Sequence, residues 1–373
     1  MTILSIIITL LYLILIGSFA FGFDKVAIFK IKDSLSVTKF SVVIPFRNEA
    51  ENLPLLLNAI HSLQYPKELF EVIFVDDESE DDSVEIITKA TAHYPNISVV
   101  KNERTSNSPK KDAISTAIKI AKNEWIITTD ADCVLPKYWL NSFDEYIQKT
   151  NAICIAAPVS YMEMNSFLNR FQIFDMLSLQ GATIGGFGIN KPFLCNGANF
   201  AYKKELFYTV NGFEGNTHTA SGDDIFLLEK VAKKYPTQLH YLKSVQAVVF
   251  TKAQPTWAAL VSQRVRWAAK TSAYNNWFGK LTGLIVLLMN TLIITSTLLV
   301  IVGAFNVKVF FYLLIIKFNI DFYLIYKSAV FFNQRSVLKS YIVAFLFYPF
   351  FSVYVAITSI FSNYTWKGRS FKK

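Results

Sequence analysis

The sequence predicts an α/β domain with a mostly parallel sheet, flanked by membrane-crossing helices. Three observations lead there. An uncharged apolar run fills residues 2–23. Short β-branched runs alternate with helical periodicity between residues 40 and 128. A second apolar block begins at residue 281. Hydrophobic residues make up 52% of the 373-residue chain and aromatics 15%. That excess collects at the two ends, as membrane segments around a soluble middle would require.

Residues 2–23 suffice to cross a hydrocarbon core as a helix, which takes about 20 residues. Ser18, Phe19 and Ala20 offer a small-residue cleavage pattern, but no Lys or Arg precedes the run as a signal peptide requires. A retained anchor is therefore expected. Lys25, Lys30, Lys32 and Lys39 follow it. Positive charge gathers on the cytoplasmic side, so the expectation is an integral protein of the cell inner membrane with a cytoplasmic middle domain.

Residues 40–45 read as a buried strand, residues 53–63 as a helix and residues 71–75 as a second strand. A helix over 84–92, a strand over 97–100, a helix over 113–121 and a strand over 125–128 continue the alternation. Such βαβα order implies a mostly parallel sheet covered by helices on both faces. Ligands bind beyond the carboxyl ends of strands in these sheets. Two acidic clusters stand there: Asp76-Asp77 after the second strand and Asp130-Ala131-Asp132 after the fourth. Neither belongs to a glycine-rich phosphate loop. Carboxylates repel phosphates, so a bridging Mg²⁺ or Mn²⁺ held by one or two of them is the natural reconciliation.

Further along, residues 167–179 have near-helical apolar spacing that suits core packing. The glycine-rich stretch 181–188 predicts a mobile loop. Ser221-Gly-Asp-Asp224 before an apolar-periodic run reads as a helix N-terminus. Residues 281–304 and 341–361 are spanning candidates, the latter with Pro349 as a kink. Between them, 309–332 carries Lys317, Asn319, Asp321 and Lys327, and charge at membrane depth is costly. It either spans with Lys317 and Asp321 turned towards neighbouring helices or lies in the interface. Three C-terminal spans are favoured.

The formal charge of +9 suits a membrane surface or a phosphorylated substrate. No Lys/Arg run or zinc-finger spacing supports nucleic acid. Cys133, Cys154 and Cys195 are widely separated and form no CxxC pair. Neither a zinc site nor a disulfide framework is expected, and free thiols in a reducing compartment are the simpler reading.

Taken in order, these residues resemble the family 2 glycosyltransferases, which have a GT-A nucleotide-sugar-binding fold. Val43-Ile-Pro-Phe-Arg-Asn-Glu49 resembles that family's first strand and loop, and Val75-Asp-Asp-Glu-Ser-Glu-Asp81 its Asp-Asp-x-Ser-x-Asp segment. Lys110-Lys-Asp-Ala-Ile114 is similar to its lysine motif, and Thr129-Asp-Ala-Asp132 to its DxD motif. Asn196 to Lys204 and Asn211-Gly-Phe213 fit its acceptor-side region, Gly222-Asp-Asp224 stands where the family carries Glu-Asp, and Gln263-Arg-Val-Arg-Trp267 matches QxxRW. QxxRW resembles the membrane-bound branch, which includes polysaccharide synthases and ceramide glucosyltransferases. Phe193-Leu-Cys-Asn-Gly197 resembles the cellulose-type Phe-Phe-Cys-Gly-Ser segment, with departures at Leu194, Asn196 and Gly197.

The resemblance implies an inverting sugar transfer from a nucleotide diphosphate sugar, a UDP-sugar by preference, to a lipid or short glycan. A processive polysaccharide synthase coupled to export is the alternative, and a non-catalytic membrane scaffold a third. Asp132 with Asp130 is implied as the Mg²⁺ or Mn²⁺ ligand set, and Asp224 as general base with Asp223 orienting it. Asp76 and Asp77 are implied at the nucleoside, Lys110 and Asp130 at the nucleotide sugar, and Gln263, Arg266 and Trp267 at diphosphate and sugar. Cys195, Asn196, Gly197 and Trp267 are implied at the acceptor. The expected organisation is an N-terminal transmembrane helix (1–23), a cytoplasmic catalytic domain (38–254) and an amphipathic interfacial segment with QxxRW (255–279). Two or three transmembrane helices (280–362) and a basic tail (363–373) complete it. The segment 255–277 is expected to close the site against water, a competing acceptor.

Overall fold

The computed structural model describes residues 2–217, 222–270, 274–361, 364–366 and 369–371. Ser221, and Lys367, Lys372 and Lys373 of the basic tail, lie outside the described residues. Two compact units form, Ala27–Met162 with Cys195–Lys252, and Met1–Val26 with Glu163–Leu194 and Ala253–Lys373.

Strands run in chain order as β1 (Phe40–Phe46), β2 (Phe70–Asp76), β3 (Ile97–Lys101), β4 (Trp125–Thr128), β5 (Cys133–Val134), β6 (Cys154–Ala156), β7 (Val159–Tyr161), β8 (Phe200–Lys203), β9 (Leu239–Tyr241) and β10 (Val249–Thr251). Helices are α1 (Thr2–Lys25), α2 (Leu53–His61), α3 (Ser83–Thr91), α4 (Pro109–Ile120), α5 (Trp139–Lys149), α6 (Phe167–Gly188), α7 (Lys204–Thr209), α8 (Asp223–Lys234), α9 (Trp257–Ala269), α10 (Trp277–Ile301), α11 (Val307–Phe331) and α12 (Tyr341–Phe361). A short antiparallel pair, Tyr364–Trp366 with Arg369–Phe371, follows α12.

The first unit is built on a sheet ordered β3-β2-β1-β4-β8-β6-β9 among the described residues. Its first four strands are parallel, and β8 enters antiparallel. Phe40, Val42, Ile44 and Phe46 of β1 alternate onto one face, in a core shared with Leu53, Leu56 and Ile60 of α2 and Trp139 and Phe143 of α5. On the opposite face α4 packs on β1 and β2. Coverage of both faces explains why residues 42–46 of β1 and 72–75 of β2 read as apolar runs rather than alternating ones.

The chain steps from β1 to β2 to β3 in one direction, and β4 then pairs with the other side of β1. The crevice beyond a reversal of this kind is where ligands bind in doubly wound sheets. Register aligns the strand ends: Phe46 lies beside Asp76, and Val43 beside Thr128. A second sheet, β5-β10-β7, holds the residues after Asp132, because Cys133 pairs with Thr251.

In the second unit, four helices are long and apolar enough to cross a membrane among the described residues: Thr2–Lys25, Trp277–Ile301, Val307–Phe331 and Arg335–Phe361. Ile3, Ile14, Leu298, Tyr312, Phe347 and Ile360 stand exposed on them, as side chains that meet lipid would. These are the helices of a membrane protein. Of the two alternatives for 309–332, the structure has a continuous helix with its charges turned inward. Lys317 is 1% exposed and 2.5 Å from Asp321 Oδ2, and the Tyr12 hydroxyl donates to Asp321 Oδ1 at 2.6 Å. A charge pair one turn apart on a single helix, with a hydroxyl from α1 donating to its carboxylate, lowers the cost of placing either charge in hydrocarbon.

The glycine-rich stretch 181–188, expected as a mobile loop, is instead the last turns of α6. The reason is tertiary. A Cβ added at Gly185 would fall on the Phe19 backbone, one at Gly188 on Gly22, and one at Gly22 on Gly185, all well inside the 3.0 Å that real Cβ atoms keep. Glycine here lets the α1 and α6 backbones touch, the small-residue packing of membrane helices.

Candidate active site

Helix α4 begins at Pro109, earlier than the apolar periodicity indicated. Proline at the first helical position is pre-organised for that turn. Lys110 therefore sits on the first turn rather than in the preceding loop. Its Nζ lies 2.6 Å from Asp130 Oδ1 and 3.6 Å from Asp223 Oδ2. The DxD segment and the Asp223-Asp224 pair, far apart in sequence, thus converge on one ammonium. Burial alone would push the Lys110 ammonium down. The charges of Asp130, Asp223 and Asp224 outweigh it, and the net direction is up.

Asp132 is half-buried on the same segment. Burial first, then the negative charges of Asp130 and Glu49, push its carboxyl up to about 6, against hydrogen bonds with Thr251 and Cys133. Among the described residues, no three His, Cys, Asp or Glu side chains gather closely enough to hold a metal unaided. Asp130 and Asp132 nevertheless suit a cation whose remaining ligands come from a substrate. They are neighbouring acids at a strand end, and the crowding of negative charge there favours a positive partner.

Asp223 and Asp224 open α8, behind Gly222 at φ +87°. That left-handed conformation is one that glycine adopts without strain. Asp224 Oδ2 accepts from the Gly197 N–H at 2.9 Å, and Oδ1 from the Ile225 N–H at 2.8 Å. Carboxylates are favoured at a helix N-terminus. Thr128 Oγ1 donates to the Gly197 carbonyl at 2.7 Å, so the 195–197 turn is clamped between the end of β4 and Asp224. Asn196 Oδ1 accepts from the Ala198 N–H at 3.0 Å and shapes that turn. Burial and then the Asp224 charge push the Cys195 thiol up, which keeps it protonated. A Cβ at Gly197 would meet Asp223 Oδ2 at 3.0 Å, and Asp224 Cβ and Lys110 Nζ at 3.5 Å. Gly197→Ala is expected to lower turnover roughly tenfold, short of the about 10²-fold that a 1 Å misplacement can cost. Steady-state assay of the folded variant checks this.

On the β1–β2 side, Asp76 Oδ1 accepts from the Ser79 N–H at 3.0 Å. Asp77 is buried, and its Oδ1 accepts from Asn102 Nδ2 at 2.7 Å and pairs with Arg104 at 3.2 Å. The Arg47 guanidinium donates to the carbonyls of Asp77 and Glu78 at 2.8 and 2.7 Å. It braces the adjoining loops after β1 and β2, in which Asn48 and Glu78 adopt positive φ, 51° and 61°. Sequence reasoning gave no role to Arg47, Asn102 or Arg104. Arg47 lay inside a recognised segment, whereas Asn102 and Arg104 follow β3 with no pattern to mark them.

Gln263, Arg266 and Trp267 lie on α9, in the unit that contains the apolar helices. Arg264, between the motif positions, organises that stretch. Its Nε is 2.5 Å from Asp175 Oδ2, both side chains being 6% exposed. Its guanidinium lies 4.2 Å from the centre of the Trp267 ring and donates to Gln263 Oε1. The Tyr348 hydroxyl completes the set by donating to Asp175 Oδ1 at 3.2 Å. Arg266 is half-buried on the same helix.

A family model described as Glycosyl transferase family 2 matches residues 41–210, which take in β1 to β4, Lys110 and the DxD segment. That stretch is similar to glycosyltransferase family 2. Asp223, Asp224 and the QxxRW stretch lie beyond the residues matched to the family. Glycosyltransferase AglE of Haloferax volcanii is 27% identical over 187 residues, 50% of this chain and 58% of its own. Beta-monoglucosyldiacylglycerol synthase of Trichormus variabilis is 23% identical over 235 residues, 61% of this chain and 48% of its own. The chain thus spans about half the length of the curated relatives it matches. Mannosyltransferase PcManGT from Pyrobaculum calidifontis, solved with GDP-Man and Mn²⁺, superposes with a TM-score of 0.54 over 96% of each chain at 16% identity. At that identity the likeness is one of fold, an α/β arrangement of the GT-A kind.

Proposed function

We propose that this protein transfers a sugar from a nucleotide diphosphate sugar, a UDP-sugar by preference, to a hydroxyl of a lipid or short glycan at the inner membrane. The observation that carries the reading is Lys110, whose ammonium joins Asp130 to Asp223 at the carboxyl ends of the sheet. Acidic side chains from separate stretches of chain share one locus there, as a site that handles both donor and acceptor demands.

Asp132 and Asp130 would hold Mg²⁺ or Mn²⁺, which supplies neutralisation of the charge developing on the leaving diphosphate. Asp224 takes the proton of the acceptor hydroxyl, and the Gly197 N–H fixes one of its oxygens at 2.9 Å. Asp223 acts beside it through Lys110. Asp76 and Asp77 terminate the strand on the nucleoside side, where Asn102 and Arg104 hold Asp77 in place. Gln263, Arg266 and Trp267 are assigned to diphosphate and sugar, and Cys195, Asn196 and Gly197 to the acceptor. Lys25, Lys30, Lys32 and Lys39 support a cytoplasmic catalytic unit. The apolar helices, and a relative whose name is that of a diacylglycerol-modifying enzyme, support a lipid acceptor.

The test supplies purified protein in lipid nanodiscs with labelled UDP- and GDP-sugars and either ion, then sizes the products. One organic-extractable product is expected. A ladder of products would instead identify a polysaccharide synthase, and no transfer from any donor would overturn the reading. Asp132→Ala is expected to lower turnover by at least about 10²-fold, the cost of losing a preorganised group that stabilises charge in the transition state. Its turnover should no longer respond to Mn²⁺ titration.

A further inference from the structure

Lys110 is more than a bystander to the acidic residues it joins. Its side chain is 20% exposed, and that of Asp223 is 8% exposed. Its backbone is fixed on the first turn of α4. The next residue, Lys111, is 1% exposed and donates to the Asn216 carbonyl at 2.6 Å, which ties that turn to the chain leading into α8. Gly197 lines the other side, where an added Cβ would meet Asp223 Oδ2 at 3.0 Å.

An ammonium 2.6 Å from Asp130 Oδ1 already occupies much of what Asp130 offers a second cation. Two cations brought to one carboxylate repel each other, strongly so where water is scarce. On leaving Asp130, Lys110 would keep only the more distant Asp223, at 3.6 Å, and a new anion taking the place of Asp130 would restore the charge balance that a partly buried ammonium needs. A diphosphate supplies such an anion and forms charge-assisted hydrogen bonds with an amine.

We propose that Lys110 is a resident counter-cation that competes with the divalent ion for Asp130, and that it yields Asp130 only when the donor diphosphate arrives, so that donor and ion bind as a pair. This rests on the reading above, in which Asp130 and Asp132 serve a nucleotide diphosphate donor. Lys110 acts here as a positioning residue. It keeps the donor-side and acceptor-side carboxylates together and hands over one of them at donor binding, while Asp223 remains its second acceptor.

Binding of Mn²⁺, followed by loss of the free-ion electron paramagnetic resonance signal, tests this without reference to turnover. The full-length protein in nanodiscs is titrated alone, with UDP and with GDP. For the wild type, one nucleotide is expected to tighten Mn²⁺ binding by about tenfold or more, given the strength of charge interactions in a partly buried site. Lys110→Gln is expected to bind Mn²⁺ about tenfold more tightly than wild type when no nucleotide is present, with the nucleotide enhancement largely lost. Lys110→Arg, which keeps the charge, should behave as the wild type, and circular dichroism checks that both variants fold. Equal Mn²⁺ affinity of wild type and Lys110→Gln without nucleotide would overturn the competition while leaving the glycosyltransferase reading intact. If no protein bound Mn²⁺ even with either nucleotide, the metal assignment itself would fall and the inference with it.

Discussion

Asp224→Asn is expected to lower kcat by about 10²–10⁴-fold, the range that a positioned general base contributes. The substitution is close to isosteric. Its amide oxygen can still accept the Gly197 N–H that holds Oδ2 at 2.9 Å, so the 195–197 turn should keep its place, while the Ile225 N–H gives up its contact with Oδ1. What is lost is the capacity to take a proton. The donor-side groups, Asp130, Asp132 and Lys110, are untouched, so KM for the nucleotide sugar should change little. A large fall in kcat with a nearly constant donor KM is therefore the signature of a missing base rather than of a damaged fold. Turnover within threefold or so of wild type would remove Asp224 from that role.

Gly185→Val is expected to have the largest effect on stability, about 3 kcal/mol or more, the upper end of overpacking costs. Two features set the size. The added Cβ would collide with backbone atoms of Phe19, which cannot rotate away as a side chain can, so α1 and α6 would have to separate. Their separation would disturb an apolar core in which Phe19 stacks on Phe193 at 5.5 Å and meets Phe278 edge-on at 6.1 Å. Gly17, on the same helix, provides the control, since a Cβ there meets nothing within 4 Å. Thermal unfolding of the purified variants, followed by size-exclusion fluorescence, should show a large loss for Gly185→Val and a near-native profile for Gly17→Val. Equal profiles would mean that the α1–α6 contact contributes little.

These two sites differ in how legible they were. Asp223 and Asp224 stood out because two acids precede an apolar-periodic run, a local pattern. Gly185 was misread because glycine is about 1 kcal/mol worse than alanine in a helix, and a glycine-rich stretch read locally predicts a loop. Its value lies in the partner helix, more than 160 positions away in the chain, and no local window contains that partner. The same limit hid Arg264. One position from the motif residues, it carries no mark until Asp175 and Tyr348 are brought beside it. Strands β5 to β10, of two to four residues each, are too short to display a period of two. By contrast, β1 and β2 were plain because strands covered on both faces carry continuous apolar stretches.

Hydropathy and periodicity along the chain reveal which segments are apolar enough to cross a membrane, that the middle alternates strand and helix, and that acidic pairs follow strands two and four. Each of these is a property of consecutive residues, set by periodicity and hydropathy. The tertiary structure decided which distant groups meet. It brought Lys110 to both Asp130 and Asp223, tied Asp77 to Asn102 and Arg104, and laid α6 against α1 at glycine. Those pairings depend on strand order and helix packing, which place residues far apart in the chain within hydrogen-bonding distance, and no window along the sequence encodes them.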